Sequence, residues 1–187
     1  MVSFLNPEEI VKTLPLKEGM TVADFGSGSG YFSLAMAKAV RPSGKVISLD
    51  IWKPSLEALE FRAKTEGLFN IIEPRWANLE EERGSNLANN SCDLVLIANI
   101  LFETENKERL ILEAKRILKP EGYLVLIEWY PDKLPAQQRL FSLTKENALN
   151  LLEKSGFQLE RELSLGVTHY GFLAKLPKSR DSKNENI

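Results

Sequence analysis

An aspartate and three glycines, each two residues from the next, are the residues of this sequence best suited to hold a ligand. They are Asp24, Gly26, Gly28 and Gly30, within the stretch VADFGSGSGYFSLA. The stretch passes from an apolar run with the length of a strand to apolar residues at helical spacing. Glycines at such a turn let a ligand come close to the backbone. The pattern therefore predicts a binding loop at the start of a helix.

Two classes of ligand fit such a loop. A dinucleotide places its pyrophosphate at the helix start, and its fingerprint is G-x-G-x-x-G. Here the glycines read G-x-G-x-G, and Tyr31 stands where the third glycine of that fingerprint belongs. The second class carries an amino-acid group, whose ammonium the carboxylate of Asp24 attracts, whereas a pyrophosphate is repelled. Asp24 favours the second class, and an NAD(P)-dependent oxidoreductase is the first alternative.

Strands and helices alternate through residue 129. The predicted strands are TVADF, KVISLD, IIEPRWA, CDLVLIANI and YLVLIEW, and Pro74 in the third indicates an edge position. The alternation predicts a parallel sheet with helices on both faces. After a helix in LTKENALNLLEKSG, the runs FQLERELSL and HYGFLAKL are joined by a short turn, which makes them antiparallel. We expect one domain over residues 1–176 and a disordered polar tail over 177–187.

Composition limits the class of protein. The chain has 187 residues, of which 43% are hydrophobic, and a net charge of −2. These values indicate one globular domain and argue against a protein that coats nucleic acid. Cys92 is the single cysteine, so an internal disulfide and a cysteine metal cluster are excluded, and we predict no metal site. With neither a leader sequence nor a long apolar run, we predict a cytoplasmic protein without a membrane span, a monomer or homodimer.

The motifs together resemble those of the class I S-adenosylmethionine-dependent methyltransferases. The resemblance extends over residues 5–176 and includes D-x-G-x-G-x-G, an acid ending the second strand, an Ala-Asn pair after the third and K-P-x-G-Y before the fifth. It implies an α/β fold with a Rossmann-like, doubly wound, seven-stranded sheet of order 3-2-1-4-5-7-6, strand seven being antiparallel. It also implies S-adenosylmethionine as cofactor and a small-molecule methyl acceptor.

The resemblance also assigns cofactor contacts to residues that follow the strands. A carboxylate at Asp50 accepts hydrogen bonds from the two ribose hydroxyls. Ile51 packs against adenine, the backbone of Ala77 donates to the ring, and the side-chain oxygen of Asn78 accepts from the adenine amino group. Ala98 and Asn99 lie near the methionine part. The expected cofactor residues are Asp24, Gly26, Gly28, Gly30, Asp50, Ile51, Ala77, Asn78, Ala98 and Asn99.

A substrate of an open α/β sheet binds beyond the carboxyl ends of its parallel strands. An antiparallel strand seven brings its first residues to that edge, which makes His169 a candidate general base. A structural role for this single histidine is the slightly favoured alternative. The expected substrate-pocket residues are Phe102, Trp129, Tyr130, Arg139 and Tyr170.

Methyl transfer from a sulfonium is an in-line displacement with a neutral leaving group, so it needs no acid. Positioning and the exclusion of water then supply most of the catalysis, and a base is needed only when the nucleophile keeps its proton. The attacked atom stays open between carbon, nitrogen, oxygen and sulfur. ANIL after strand four lacks the Asn/Asp-Pro-Pro-aromatic tetrapeptide of amino-methyltransferases, which argues against nucleic-acid bases. A non-catalytic subunit that binds S-adenosylmethionine is the second alternative.

Overall fold

The computed structural model describes residues 5–178. Within that range the helices are α1 (Pro7–Lys12), α2 (Tyr31–Val40), α3 (Lys53–Thr65), α4 (Lys107–Ile117) and α5 (Lys145–Lys154). The strands are β1 (Thr21–Phe25), β2 (Lys45–Asp50), β3 (Ile72–Trp76), β4 (Cys92–Ala98), β5 (Leu118–Trp129), β6 (Gln158–Glu162) and β7 (His169–Lys175). Two single-turn 3-10 helices follow β5, at 131–133 and 136–138. Residues 179–187 of the predicted tail lie outside the described residues.

The strands form one seven-stranded sheet with the order β3-β2-β1-β4-β5-β7-β6. Strands β1 to β5 pair in parallel, and β7 is antiparallel to both β5 and β6. The predicted fold class and strand order are confirmed. Pro74 lies on β3, an edge strand, where its missing N–H costs no central hydrogen bond of the sheet.

The central strands of the sheet are buried on both faces, and their side chains alternate between two apolar layers. On β5, Leu124 and Leu126 belong to the layer packed with α4 and α5, whereas Val125 and Ile127 belong to the layer packed with α1 and α2. This alternation explains why the central strands read as continuous apolar runs. It also fixes where the last residues of each strand point.

The start of β5 differs from the prediction. The K-P-x-G-Y segment was expected to precede the strand, but β5 already begins at Leu118, directly after α4. Its pairing with β4 shifts register between Leu118 and Tyr123, and Glu121 has a left-handed φ of 65°. An irregular strand entry of this kind accommodates Pro120, which lacks a backbone donor.

No helix among residues 5–178 is long and apolar enough to cross a membrane.

Candidate functional site

Two cavities open at the carboxyl ends of the parallel strands. The first, here the His169 cavity, has a volume of about 460 Å³ and is bordered by Asp24, Trp129 and His169. The second, here the Asp50 cavity, has a volume of about 430 Å³ and is bordered by Asp50 and by residues that follow β3. Gly26, Gly28 and Asn99 border both. The two cavities therefore meet at the glycine loop, as expected for one extended ligand that reaches into both.

The three glycines of the loop have different reasons to be glycine. Each has a positive φ: 69° at Gly26, 52° at Gly28 and 85° at Gly30. A Cβ at Gly26 would lie 2.6 Å from Cδ1 of Ile100, and one at Gly30 would lie 2.0 Å from Cδ1 of Leu59. A Cβ at Gly28 would meet no atom of residues 5–178 within 4 Å. Packing therefore fixes the outer two glycines, whereas the open face of Gly28 leaves room for a ligand.

Gly30 borders neither cavity and instead precedes α2 as its N-cap residue. The neighbouring Tyr31 is 63% exposed and lies under the guanidinium of Arg62, 4.1 Å from the ring centroid. Gly30 therefore contributes to ligand binding indirectly, by allowing the backbone conformation of the loop.

Asp50 holds the glycine loop from the end of β2. Its Oδ2 accepts a hydrogen bond from the backbone N–H of Gly28 at 2.7 Å, and its Oδ1 accepts from the N–H of Trp52 at 2.8 Å. A carboxylate has about four acceptor sites, so both oxygens keep capacity for a further donor. This geometry suits a ligand with two neighbouring hydroxyl groups.

Asp24 is buried at the end of β1, with 2% of its surface exposed. Its Oδ2 accepts from Oγ of Ser33 at 2.5 Å, and that hydroxyl accepts from Oγ of Ser48 at 2.8 Å. Burial raises the pKa of Asp24 to about 7, because the Ser33 hydrogen bond offsets only part of the lost hydration and the nearby Asp50 adds repulsion. A cation beside Asp24 would favour its ionised form.

The residues expected to contact adenine border the Asp50 cavity. Ile51 is 57% exposed there. The N–H of Ala77 donates to the carbonyl of Asp50 at 3.0 Å, so the expected donor to the ring is already engaged. Oδ1 of Asn78 accepts from the N–H of Glu80 at 3.2 Å, and its Nδ2 donates to Glu81 at 2.9 Å. The Asn78 side chain therefore stabilises a turn and keeps one acceptor site.

Buried polar atoms without a partner gather at the His169 cavity. Among residues 5–178 these atoms are Oγ of Ser27, Oδ1 of Asn99, Oε1 of Glu128 and Nε2 of His169. Ser27, Asn99 and His169 border this cavity. Asn99 also has a left-handed φ of 56° at the end of β4, where Ala98 borders the same cavity. Since buried polar groups are normally paired, these atoms indicate a ligand with matching polar groups.

His169 packs against Trp129 at the carboxyl end of β5, with the two rings tilted relative to each other. The two residues are paired across β5 and β7, and their ring centroids lie 3.8 Å apart. Nδ1 of His169 lies 2.9 Å from Oγ1 of Thr168. Burial lowers the pKa of His169 to about 4, so the imidazole is neutral at neutral pH.

Four of the expected substrate-pocket residues border neither cavity: Phe102, Tyr130, Arg139 and Tyr170. Tyr170 points to the opposite face of the sheet from His169, where its hydroxyl donates to the carbonyl of Leu143 at 2.9 Å. Tyr130 packs against it with ring centroids 5.4 Å apart. Nε of Arg139 donates to the carbonyl of Leu134 at 2.8 Å, so this side chain folds back on its own segment.

The sequence reasoning missed part of the cavity wall. Leu5, Pro7 and Phe32 border the His169 cavity together with the loop serines. Leu5 and Pro7 reach it because α1 packs against α2, and only the apolar residues Ile10 and Val11 in the second half of this short helix hinted at such packing. The hydroxyl of Ser27 had no signal of its own, because the motif specifies the glycines and leaves the positions between them open.

Glu128 was also missed, although an acid near the end of an apolar strand was a visible signal. It is 1% exposed and lies on the face opposite Trp129. Burial raises its pKa to about 8, whereas the backbone N–H groups of Phe102, Leu101 and Ile100 act in the other direction. The Glu128 carboxyl group therefore lies next to the backbone of the loop that follows β4.

Comparisons with known proteins agree with this geometry. A family model described as a methyltransferase domain matches residues 16–164. The chain is similar to a demethylmenaquinone methyltransferase of Lactococcus lactis, with 32% identity over 138 residues, which are 73% of this chain and 52% of that protein. It is also similar to a ubiquinone/menaquinone biosynthesis C-methyltransferase of Hydrogenovibrio crunogenus, with 28% identity over 75% of this chain and 53% of that protein. The chain spans about half the length of these curated relatives.

The solved structures extend the similarity to the whole fold. A SAM-dependent methyltransferase from Aquifex aeolicus superposes with a TM-score of 0.81 at 27% identity, covering 92% of this chain and 90% of that one. These comparisons give no support to a dehydrogenase or to a non-catalytic subunit.

Proposed function

This chain belongs to the class I S-adenosylmethionine-dependent methyltransferases, and from that premise we propose that it methylates a small molecule held in the His169 cavity. The observation that carries the proposal is the meeting of two cavities at Gly26, Gly28 and Asn99. One cavity has the carboxylate suited to a nucleoside, and the other is a mostly apolar chamber beside a buried histidine. We further propose a cytoplasmic monomer or homodimer that does not act on nucleic acid, in keeping with its net charge of −2.

The residues present fit S-adenosylmethionine. Asp50, Ile51 and Asn78 would hold the nucleoside, and Asp24, Ala98 and Asn99 would hold the amino-acid part. The unpartnered oxygens of Ser27 and Asn99 and the open face of Gly28 support this assignment. When bound, the cofactor supplies an electrophilic methyl group on a sulfonium.

The side chains of this protein contribute two effects, which are the positioning of the methyl acceptor and the exclusion of water from the reacting groups. Leu5, Phe32 and Trp129 surround the reacting region with apolar surface and exclude water. Neutral His169 offers Nε2 to a polar group of the acceptor, which fixes its orientation. Because a pKa of about 4 makes the imidazole a weak base, orientation is the role we assign to it.

The direct test is calorimetry with S-adenosylhomocysteine and, separately, with NAD. We expect the first to bind and the second not to; binding of NAD alone would overturn the proposal. Transfer of a labelled methyl group from S-adenosylmethionine, screened across a metabolite library, then identifies the acceptor. Cofactor binding without transfer to any member of the library would favour the non-catalytic alternative.

Replacing Asp50 with alanine should weaken S-adenosylhomocysteine binding by about 1–3 kcal/mol, because the ribose hydroxyls lose a charged acceptor. The loop also loses the bond between Asp50 and Gly28. Asp93→Ala is the matched control, since Asp93 accepts the N–H of Thr21 at 2.9 Å near the opposite edge of the sheet. Calorimetry should show intact binding in the control. Equal affinities in both variants would place the nucleoside elsewhere.

Cofactor affinity should also depend on pH through Asp24. The ammonium of S-adenosylhomocysteine favours ionised Asp24, so below a pKa of about 7 binding must displace a proton. We expect the affinity to fall by up to about tenfold per pH unit between pH 7 and pH 5.5. Asp24→Asn should bind more weakly and lose this dependence. An unchanged affinity of the wild type across this range would exclude the ammonium from the site of Asp24.

His169→Ala should slow methyl transfer while leaving S-adenosylhomocysteine affinity nearly unchanged, because Asp50 and the glycine loop hold the cofactor. As an orienting group, His169 should account for less than about 10²-fold in single-turnover rate, whereas a general base would account for about 10²–10⁴-fold. Normal turnover with a lowered melting temperature would mark His169 as purely structural.

A further inference from the structure

The His169 cavity has very little charge. Of the described residues that border it, none is a lysine or arginine, and the single carboxylate is that of Asp24. Asp24 lies at the end of β1 beside the glycine loop, and the proposed function assigns it to the ammonium of the cofactor. Among residues 5–178, the acceptor part of the cavity is therefore left without a charged side chain.

The same cavity is rich in aromatic surface. Trp129 and His169 form a continuous wall, with ring centroids 3.8 Å apart and an interplanar angle of 41°. Phe32 and Tyr31 border the cavity from the start of α2. Aromatic walls favour flat ligands, because offset and edge-to-face contacts between rings add to the burial of apolar area.

One buried polar side-chain atom of this wall lacks a partner among residues 5–178. Nε2 of His169 is buried without a partner among the described residues, whereas Nδ1 is engaged with Thr168. The other two unpartnered atoms at this cavity, on Ser27 and Asn99, belong to residues at the cofactor side. One hydrogen-bonding group on the acceptor is therefore enough to pair the buried Nε2 of His169.

Charge on the acceptor would be costly. A carboxylate or phosphate would lose its hydration without gaining a cationic side chain among residues 5–178 that border the cavity, and Asp24 would repel it. A cationic acceptor would compete with the cofactor's ammonium for the same carboxylate. On the basis of the proposed function, we infer that the acceptor is an uncharged, flat, largely aromatic molecule with a hydrogen-bonding group that meets Nε2 of His169.

Three probes with the same ring system test this inference. The protein saturated with S-adenosylhomocysteine is titrated with 2-naphthol, 2-naphthoate and 2-naphthylammonium, and binding is followed by ligand-observed NMR. We expect 2-naphthol to bind at least about tenfold tighter than either charged probe, because each charged probe loses hydration that the cavity does not replace. This comparison uses only the wild-type protein.

A pair of variants localises the contact. His169→Phe keeps an aromatic ring and removes Nε2, and it should weaken 2-naphthol binding about fivefold or more without changing the affinity for S-adenosylhomocysteine. Tyr170→Phe is the control, because this hydroxyl is lost on the opposite face of the sheet. It should leave 2-naphthol binding unchanged.

Several outcomes overturn the inference while the proposed function stands. They are equal or tighter binding of a charged probe, no binding of any probe to the S-adenosylhomocysteine complex, and wild-type 2-naphthol affinity in folded His169→Phe. Failure of S-adenosylhomocysteine itself to bind would instead reject the proposed function.

Discussion

Gly28→Val should bind S-adenosylhomocysteine at least 100-fold more weakly than the wild-type protein, by an order-of-magnitude expectation from steric exclusion. Gly28 has a φ of 52°, and no atom of the described part of the chain lies within 4 Å of the place where its Cβ would be. Since Gly28 borders both cavities, a β-branched side chain there would occupy the volume that the cofactor needs. Calorimetry with S-adenosylhomocysteine measures the effect.

Gly67→Val separates this effect from backbone strain. Gly67 follows α3, is exposed, and has a φ of 69°, and none of the atoms described in the structure lies within 4 Å of an added Cβ. Both substitutions force a β-branched residue into the left-handed region and should destabilise the fold by about 1–2 kcal/mol. Only Gly28→Val should lose binding. Equal affinities of the two folded variants would show that the loop does not contact the cofactor.

The positions that follow the strands were predictable from the sequence. Asp24 is the penultimate residue of β1, Asp50 is the last residue of β2, and Asn99 directly follows β4. The carboxyl ends of neighbouring parallel strands meet at one edge of a sheet. The glycine spacing identified the loop, and the short turn between the last two runs predicted the antiparallel strand. Local patterns were sufficient because each of these features depends on its own segment and on the order of the strands. Their assignment to individual cofactor atoms stays a prediction.

Which face a side chain takes was not predictable. His169 and Tyr170 alternate across β7, so one of them had to leave the cavity, and both are aromatic residues compatible with either face. The structure turns His169 toward the layer of Val125 and Ile127 and Tyr170 toward the layer of Leu124 and Leu126. The face that each side chain takes is decided by how the helices pack on the two sides of the sheet, which the sequence of β7 does not contain.

Contacts between distant segments were equally hidden. Leu5 and Pro7 enter the cavity wall because α1 packs on α2. Arg139 was expected to face a substrate, but its side chain hydrogen-bonds the carbonyl of Leu134 five residues away. The Arg139 contact has no periodicity or motif of its own, and the apolar residues of α1 indicated that the helix packs without indicating that it packs on α2.

Glu128, a buried acid next to the candidate site, makes the free energy of unfolding depend on pH. Its pKa is about 8 instead of 4.5, chiefly because burial disfavours the charged form. The groups that act on it are the N–H groups of residues 100–102, which favour the carboxylate, and the ammonium of Lys107 on α4, which does so more weakly. Tyr170 on β7 stays neutral because burial raises its pKa, with repulsion from Glu128 adding to the effect.

The sign of the pH dependence follows from this shift. The unfolded chain releases the Glu128 proton near pH 4.5, whereas the folded protein keeps it until about pH 8. Between these values the folded state binds more protons than the unfolded state, so the free energy of unfolding falls as pH rises. The contribution of Glu128 is complete below pH 4.5 and lost above pH 8. The ceiling on this loss is about 5 kcal/mol, at about 1.4 kcal/mol per pH unit.

Glu128→Gln should remove this loss, because the amide has a similar shape and does not titrate. The variant's stability relative to wild type should increase by about 3 kcal/mol between pH 5.5 and pH 8.5, as measured by urea unfolding at both values. Glu113→Gln is the control of opposite sign. Glu113 is 5% exposed and its burial opposes ionisation, but hydrogen bonds from Arg116 and Ser85 hold its pKa below the usual value. This control should be destabilised at both pH values. If wild type and Glu128→Gln show the same pH dependence, Glu128 is already ionised in the folded protein at pH 5.5.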